Sequence, residues 1–193
     1  MCGIAGFILK SEDKSYKDAS QKIIHNMLNA INHRGPDDVG IWKSNDSSTV
    51  LGHKRLSILE LTDAGSQPMK DDSDKFILIF NGEIYNHLNL RKEIYNSGSL
   101  VRWRGSSDTE TLLESIKIFG LEKTLSLIEG MFSFALWDQR ESKLFLVRDR
   151  VGEKPLYYSY TEGRIIFGSE LKAIVQFPNL EKNINKSALE SLL

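Results

Sequence analysis

The sequence has a single cysteine among its 193 residues, and this scarcity limits where the protein can work. One cysteine cannot form an internal disulfide, and chains poor in cysteine are typical of reducing compartments, so we expect a cytoplasmic protein. The sequence also lacks any run of about 18 apolar residues, the length that a membrane-spanning helix needs. The apolar run at 3–9 has no positive charge before it and no small-residue cleavage site after it, unlike a secretory signal. We therefore expect no membrane partner.

No charge of one sign dominates either. Lys and Arg total 25 and Asp and Glu total 26, which gives a net charge of −1. Balanced charge offers little attraction for a polyanion, so we expect no nucleic-acid partner. The four histidines, His25, His33, His53 and His87, are not spaced like metal ligands, and no second cysteine could join them. The sequence therefore predicts a globular protein without a metal site.

Short apolar runs make up much of the chain. They predict strands at 3–9, 39–42, 49–57, 76–80, 131–137, 143–148, 156–160 and 164–167. Helical spacing predicts helices at 17–33, 86–96, 121–128 and 169–175, another that begins at the capping-box pattern 107–110, and a loop at 61–74. Tight turns between strands are typical of antiparallel sheets, and the helices come in two groups. This pattern predicts the α+β class, with sheets and helices in separate layers.

The single cysteine is the second residue, in front of the first apolar run. Cys2 could be a small buried side chain or a lipid attachment site, although the Met-Gly start of a myristoylation signal is absent. The other interpretation depends on removal of Met1, which a small second residue generally permits. Cys2 would then carry a thiol and a free α-amine that can accept the thiol proton, because their ordinary pKa values are about 8.5 and about 7.7–8.0. While Met1 remains attached, the Cys2 nitrogen is an amide and cannot act as this base.

Three further positions suit the attack of a thiol on an amide. Asn81 and the backbone N–H of Gly82, directly after a predicted strand, could donate to one oxyanion, or could form an ordinary Asn-Gly turn. Arg55 could bind an α-carboxylate through two hydrogen bonds, or could lie on the surface. Asp108, at a helix start, could bind an ammonium group or only favour the helix dipole. Each residue alone leaves both interpretations open.

Eight motifs together carry a resemblance to a known family. In chain order they are MCGIAG at 1–6, HRGPD at 33–37, RLSI at 55–58, NGEIYN at 81–86, SDTE at 107–110, GMFSFA at 130–135, RDR at 148–150 and SELKA at 169–173. The chain closely resembles the glutaminase domain of glutamine-dependent asparagine synthetases. These are class II glutamine amidotransferases of the N-terminal nucleophile hydrolase superfamily. The resemblance spans nearly the whole chain, from Cys2 to about Phe177.

The resemblance implies a fold and a set of site residues. The fold would be a four-layer αββα sandwich of two antiparallel sheets. Cys2 would attack the side-chain amide of L-glutamine, and Asn81 with the backbone N–H of Gly82 would hold the oxyanion. The substrate-binding residues would be Arg55 for the α-carboxylate, Asp108 and Glu83 for the α-ammonium group, and the backbone of Leu56, Ser57, Ile58 and Leu59 along the pocket.

The resemblance also implies a domain organisation. Residues 1–180 would form the amidotransferase domain, and residues 181–193 would begin a linker to a missing C-terminal synthetase domain. In this family that partner domain receives the ammonia and uses ATP and magnesium to activate aspartate, whereas the glutaminase domain itself needs no cofactor. The expected partners are therefore glutamine and the synthetase domain, and a homodimer is also compatible with the family.

The resemblance leaves the ammonia acceptor open. The residues Trp103-Arg104-Gly105 before Ser106 are as typical of relatives that amidate sugars in surface-polysaccharide synthesis as of asparagine synthetases. Other class II amidotransferases, of the glucosamine-phosphate, phosphoribosyl pyrophosphate or glutamate synthase types, are a second alternative, although the RLSI and SDTE motifs favour the asparagine type. A domain that binds glutamine without hydrolysing it, with Met1 retained, is a third.

Overall fold

The computed structural model describes residues 1–181 and residue 190. In this part of the chain the strands are β1 (Gly3–Ile8), β2 (Asp38–Lys43), β3 (Thr49–Arg55), β4 (Met69–Lys70), β5 (Phe76–Ile84), β6 (Gly130–Asp138), β7 (Lys143–Arg148), β8 (Tyr157–Thr161) and β9 (Arg164–Gly168). The α-helices there are α1 (Lys14–Asp18), α2 (Ser20–Ala30), α3 (His87–Asn96), α4 (Asp108–Phe119), α5 (Leu121–Leu127) and α6 (Leu171–Ile174). The linker expected at 181–193 lies, apart from residues 181 and 190, outside the described residues.

The strands form two antiparallel sheets with helices on their outer faces. The first sheet has the strand order β2-β3-β1-β9-β8 and the second has the order β4-β5-β6-β7. Helices α2 and α6 pack on the first sheet through a core that includes Phe7 and Met27. Helices α3, α4 and α5 pack on the second sheet around Leu112 and Phe134. A third core, which includes Ile79, joins the two sheets. The order helix, sheet, sheet, helix confirms the expected α+β class and the four-layer αββα sandwich.

Strand β5 shows why the apolar runs are continuous. Phe76, Leu78 and Phe80 belong to the core under the helices. Ile77 and Ile79 belong to the core between the sheets. Because successive side chains of a strand point to opposite faces, a strand in the middle of a four-layer sandwich needs apolar residues at every position. The sequence FILIF is therefore a strand that is buried on both faces.

Strand β5 is longer than the sequence predicts. The predicted end at residue 80 is wrong, because the strand continues to Ile84. Its pairing with β6 also continues, from Asn81 opposite Ser133 to Ile84 opposite Gly130. The polar residues 81–83 indicate the end of a strand when only the local sequence is considered. In the structure, however, β6 supplies hydrogen-bond partners for their backbone. The Asn81-Gly82 turn is therefore wrong as well.

Two other predicted elements are divided differently in the structure. The helix expected at 17–33 is three pieces, α1, α2 and a 3₁₀ turn at Asn32–Arg34. The loop expected at 61–74 contains the two-residue strand β4, in which Met69 pairs with Leu78 and Lys70 with Ile77. Such a short strand exists only through its pairing with β5, so no local pattern indicates it.

The two sheets bring three strand ends to one edge. In the antiparallel pair of β1 and β3, Gly3 lies opposite Lys54, so that Cys2 is next to the end of β3. Across the sandwich, His53 Nε2 donates to the Phe80 carbonyl at 3.1 Å. This hydrogen bond ties the end of β3 to the part of β5 that precedes Asn81. The start of β1 and the ends of β3 and β5 therefore meet.

Buried His53 predicts a pH dependence of stability. Burial lowers its pKa from 6.5 to about 4, with Arg55 acting in the same direction and the Phe80 hydrogen bond and Asp38 in the opposite direction. The unfolded chain takes up a proton near the ordinary pKa and the folded chain does not, so stability falls as the pH decreases through this window. From pH 7 to pH 5 the loss should be about 2 kcal/mol in the free energy of unfolding.

His53→Gln is the matched control, because glutamine keeps an N–H donor for Phe80 but cannot be protonated. Urea unfolding of both proteins at the two pH values measures the difference. The wild type should lose about 2 kcal/mol more than the variant between them. The same pH dependence in both proteins would exclude His53 as its source.

Candidate active site

The three strand ends and the start of α4 surround a cavity of about 110 Å³. Of the expected site residues, those that line it are Cys2, Arg55, Leu56, Ile58, Leu59, Asn81, Gly82, Glu83 and Asp108. Ser57 is not among the lining residues. Its backbone N–H donates to Asp37 Oδ2 at 2.7 Å. The structure thus brings together residues from four distant parts of the sequence.

The Cys2 thiol lies in the wall of this cavity, against the backbone of Leu56. The Leu56 N–H donates to Cys2 Sγ at 3.4 Å, and the thiol lies 3.6 Å from the Leu56 carbonyl. Burial raises the pKa of the Cys2 thiol, against the opposing effects of the Leu56 hydrogen bond, the N-terminal charge and Arg55. The thiol is therefore neutral near pH 7 and needs a base before it can act as a nucleophile.

The backbone of Cys2 is fixed by a group of charged side chains. Arg34 Nε donates to the Cys2 carbonyl at 2.9 Å, and its Nη1 donates to Glu170 Oε1 at 3.0 Å. His33 and Lys172 contact the same carboxylate, at 2.8 and 3.0 Å. These groups hold the pKa of Glu170 at about 2, well below its ordinary value. Glu170 stays ionised at neutral pH, so that Arg34 is kept in place behind the thiol.

Asn81 offers a hydrogen-bond donor that has no acceptor. Its side chain is 1% exposed, and Nδ2 is buried without a hydrogen-bond partner in the described part of the chain. A buried unpaired donor costs about 1–3 kcal/mol, which is consistent with a group that meets its partner only when a ligand is bound. A side chain at Gly82 would place its Cβ 2.3 Å from the Met131 carbonyl, so only glycine fits here.

Arg55 is buried at the end of β3 and is tied to the loop that follows. Nη1 donates to the Thr62 carbonyl at 3.1 Å, and Nη2 donates to the Glu60 carbonyl. The guanidinium also sits against Gly65, where a Cβ would come 2.3 Å from Nη2. The alternative that Arg55 lies on the surface is wrong, because only 7% of the residue is exposed to solvent. Since a guanidinium has five N–H donors, others are left for a carboxylate in the cavity.

Asp108 is a buried carboxylate without an ion pair among the described residues. It accepts a hydrogen bond from the Ile84 N–H at 2.9 Å, and burial raises its pKa. Helix capping does not account for it, because the Ser107 side chain is the cap and accepts from the Glu110 N–H at 3.1 Å. Glu83 lines the same cavity. This corner therefore suits a cationic group of a ligand.

The sequence patterns missed several residues of the cavity wall. Gln67 lines it and accepts from the Phe80 N–H at 2.6 Å. Lys154 also lines it, is 7% exposed, and contacts Met1 Sδ at 3.3 Å. Gln67 lies inside the predicted loop 61–74, and Lys154 lies between the strands predicted at 143–148 and 156–160, so neither belongs to one of the eight motifs. Only the fold brings them to the thiol.

Among the described residues, no group of three or more His, Cys, Asp or Glu side chains could hold a metal ion. None of the helices in the same part of the chain is long and apolar enough to cross a membrane.

The fold has a counterpart of known structure. The solved complex of glutamine phosphoribosylpyrophosphate amidotransferase from B. subtilis with ADP and GMP matches with a TM-score of 0.74 and 21% identity. The match covers 91% of this chain and 43% of that one. This chain therefore has the fold of the matched part of that amidotransferase. Over residues 1–193 the sequence also matches the family model described as the glutamine amidotransferase domain. The chain belongs to this family.

The curated relatives include asparagine synthetases of Bacillus subtilis. The chain is 34% identical to the glutamine-hydrolyzing asparagine synthetase 3 of Bacillus subtilis, over 100% of this chain and 30% of that protein. It is 36% identical to the glutamine-hydrolyzing asparagine synthetase 2 of the same organism, over 100% of this chain and 25% of that protein. The chain therefore spans less than a third of the length of these relatives.

Proposed function

We propose that this domain hydrolyses L-glutamine to glutamate and ammonia, with Cys2 as the nucleophile. The observation that carries the proposal is the unpaired Asn81 Nδ2 in the same cavity as the Cys2 thiol. A buried donor beside a nucleophile is the arrangement that stabilises the oxyanion of an amide under attack. Membership of the glutamine amidotransferase domain family supports the choice of amide.

Substrate recognition uses the charges at the two sides of the cavity. Arg55 binds the α-carboxylate through its free N–H donors. Asp108 and Glu83 bind the α-ammonium group, which supplies the cation that Asp108 lacks. Leu56, Ile58 and Leu59 line the space for the aliphatic part of the substrate. A dipolar amino acid is thereby oriented with its side-chain amide toward Cys2.

The chemical steps require the removal of Met1. The α-amine of Cys2 accepts the thiol proton, and Sγ attacks the amide carbon of glutamine. Asn81 Nδ2 and the Gly82 N–H donate to the oxyanion of the tetrahedral intermediate. The amine then gives its proton to the leaving nitrogen, so that ammonia departs and a glutamyl thioester remains. Water attacks the thioester, glutamate is released, and the thiol is restored.

We further propose that the ammonia passes to an acceptor bound by another domain of a longer protein. We infer that it is aspartate, activated with ATP and magnesium by a C-terminal synthetase domain, because both B. subtilis relatives are named asparagine synthetases. The same proposal includes a cytoplasmic location and leaves room for a homodimer. A sugar acceptor is the alternative, and the product formed by the whole protein distinguishes the two.

The intact mass of the protein tests the proposal, before and after incubation with the glutamine-like electrophile diazo-oxonorleucine. We expect a chain that has lost Met1 and gains one adduct, located at Cys2 by peptide mapping. A protein that retains Met1 and forms no adduct is then remade with Cys2 as its first residue and treated again. Loss of Met1 without an adduct would contradict the proposal and would favour the domain that binds glutamine without hydrolysis.

A further inference from the structure

Arg91, on helix α3, holds the segment that leads into α4. Its Nε donates to Thr111 Oγ1 at 2.8 Å, and both Nη atoms donate to the Gly105 carbonyl at 3.1 Å. Nη2 also donates to the Ser107 carbonyl at 3.2 Å. The guanidinium stacks on Trp103, with Cζ 3.9 Å from the ring centroid. One side chain therefore fixes both ends of the loop 103–107 and the first turn of α4.

The residue that this loop places at the cavity is Asp108. One of the two carbonyls that Arg91 binds belongs to Ser107, which is the N-cap of α4. Asp108 comes next in the chain, and its carboxylate lines the cavity. A displacement of the Ser107 backbone therefore moves Asp108 directly, since a single rigid peptide unit joins them.

Glu110 supports the same loop from the other side. Its carboxylate accepts from the backbone N–H of Arg104 at 2.8 Å and of Gly105 at 3.1 Å. It lies 3.7 Å from Arg91 Nη2, and the side chains of Arg91 and Glu110 are 18% and 2% exposed. Arginine suits this place because its planar group forms several directed hydrogen bonds and also stacks, whereas lysine offers neither a fork nor a flat face.

We propose that Arg91 is a positioning residue for glutamine recognition, which holds Asp108 where it meets the α-ammonium group of the substrate. Arg91 is not among the residues that line the cavity, so it acts through Ser107 and Asp108. The inference rests on the proposed function, in which Asp108 binds that ammonium group. Loss of Arg91 therefore weakens recognition of the ammonium group directly, whereas its link to Arg55 is indirect, through the hydrogen bonds of Ser106 to Glu60, whose carbonyl Arg55 binds.

The test compares glutamine with glutaramate, which has the same amide and carboxylate but no α-amino group. In the chain that begins at Cys2, the wild type should prefer glutamine strongly in kcat/KM, and Asp108→Asn should lose most of this preference. Arg91→Met should reduce the preference about tenfold or more, mainly through a higher KM for glutamine, with little change for glutaramate. Arg91→Lys should restore only part of it.

The matched control is Arg102→Met, the same substitution at an exposed arginine just before the loop. It should keep the full preference for glutamine. If the methionine variant at Arg91 does not fold, the lysine variant carries the comparison.

Two results would overturn the positioning role and leave the proposed function standing. One is an undiminished preference for glutamine in the Arg91 variants, and the other is an equal loss of kcat/KM for both substrates, which indicates a general structural role. A wild type that hydrolyses both substrates equally well would overturn the ammonium-binding role of Asp108, and with it the positioning role of Arg91, whereas a wild type that hydrolyses neither substrate would overturn the proposed function itself.

Discussion

Replacing Cys2 with alanine should abolish the conversion of glutamine to glutamate, with a fall in kcat of at least about 10³-fold. The reason is that the covalent thioester route needs the sulfur, and no other cysteine exists in the sequence. Glutamine should still bind, because Arg55 and Asp108 on the walls of the cavity are untouched. Glutamate release and titration calorimetry with glutamine measure the two effects separately.

Cys2→Ser is the conservative companion to this variant. Serine is also small enough to permit removal of Met1, so both variants keep a free α-amine. A serine hydroxyl is a much weaker nucleophile than a thiol at neutral pH, and we expect little recovery of activity. The mass of each variant verifies the loss of Met1. Hydrolysis by Cys2→Ala near the wild-type rate would show that another group attacks the amide.

Replacing Asn81 with alanine should lower kcat for glutamine by about 10²–10³-fold and change KM little. The unpaired Nδ2 is a donor for the oxyanion, which exists only in the transition state and the intermediate, so ground-state binding is nearly unaffected. Asn81→Asp keeps the shape of the side chain but replaces the donor with a carboxylate that repels the oxyanion. Its kcat should be at least as low as that of the alanine variant.

Two controls separate this effect from damage to strand β5. Thermal unfolding of Asn81→Asp should show a cooperative transition like that of the wild type, because the side chains have the same shape. The reactivity of the thiol is measured by diazo-oxonorleucine labelling of Cys2 in each variant. The labelling of the wild type, which keeps Asn81, is the reference. Equal kcat values in the wild type and both variants would remove Asn81 from the oxyanion site.

Several features of the site could be predicted from the sequence because they depend on local order. Cys2 precedes β1, Arg55 ends β3, and Ser107 caps α4, as the patterns indicate. Apolar periodicity and turn chemistry are properties of short segments, so they show where the elements lie and that the sheets are antiparallel. The family motifs add the roles expected for these residues.

Other features could be decided only by the tertiary structure. The extension of β5 through Asn81 depends on pairing with β6, which lies about 50 residues away in the chain. The two-residue strand β4 likewise exists only against β5. Gln67 and Lys154 enter the cavity wall because separate loops fold onto one edge of the sandwich. A single-sequence pattern carries no information about such distant neighbours.

The sequence by itself determined the position of the thiol, the polar motifs around it and the class of the fold. The tertiary structure decided which hydrogen-bond donors are used and which stay free. Asn81 Nδ2 is unpaired, whereas the N–H groups of Arg91 donate to Gly105, Ser107 and Thr111. Local propensities are properties of neighbouring residues, but whether a polar atom finds a partner depends on groups that meet only when the whole chain has folded.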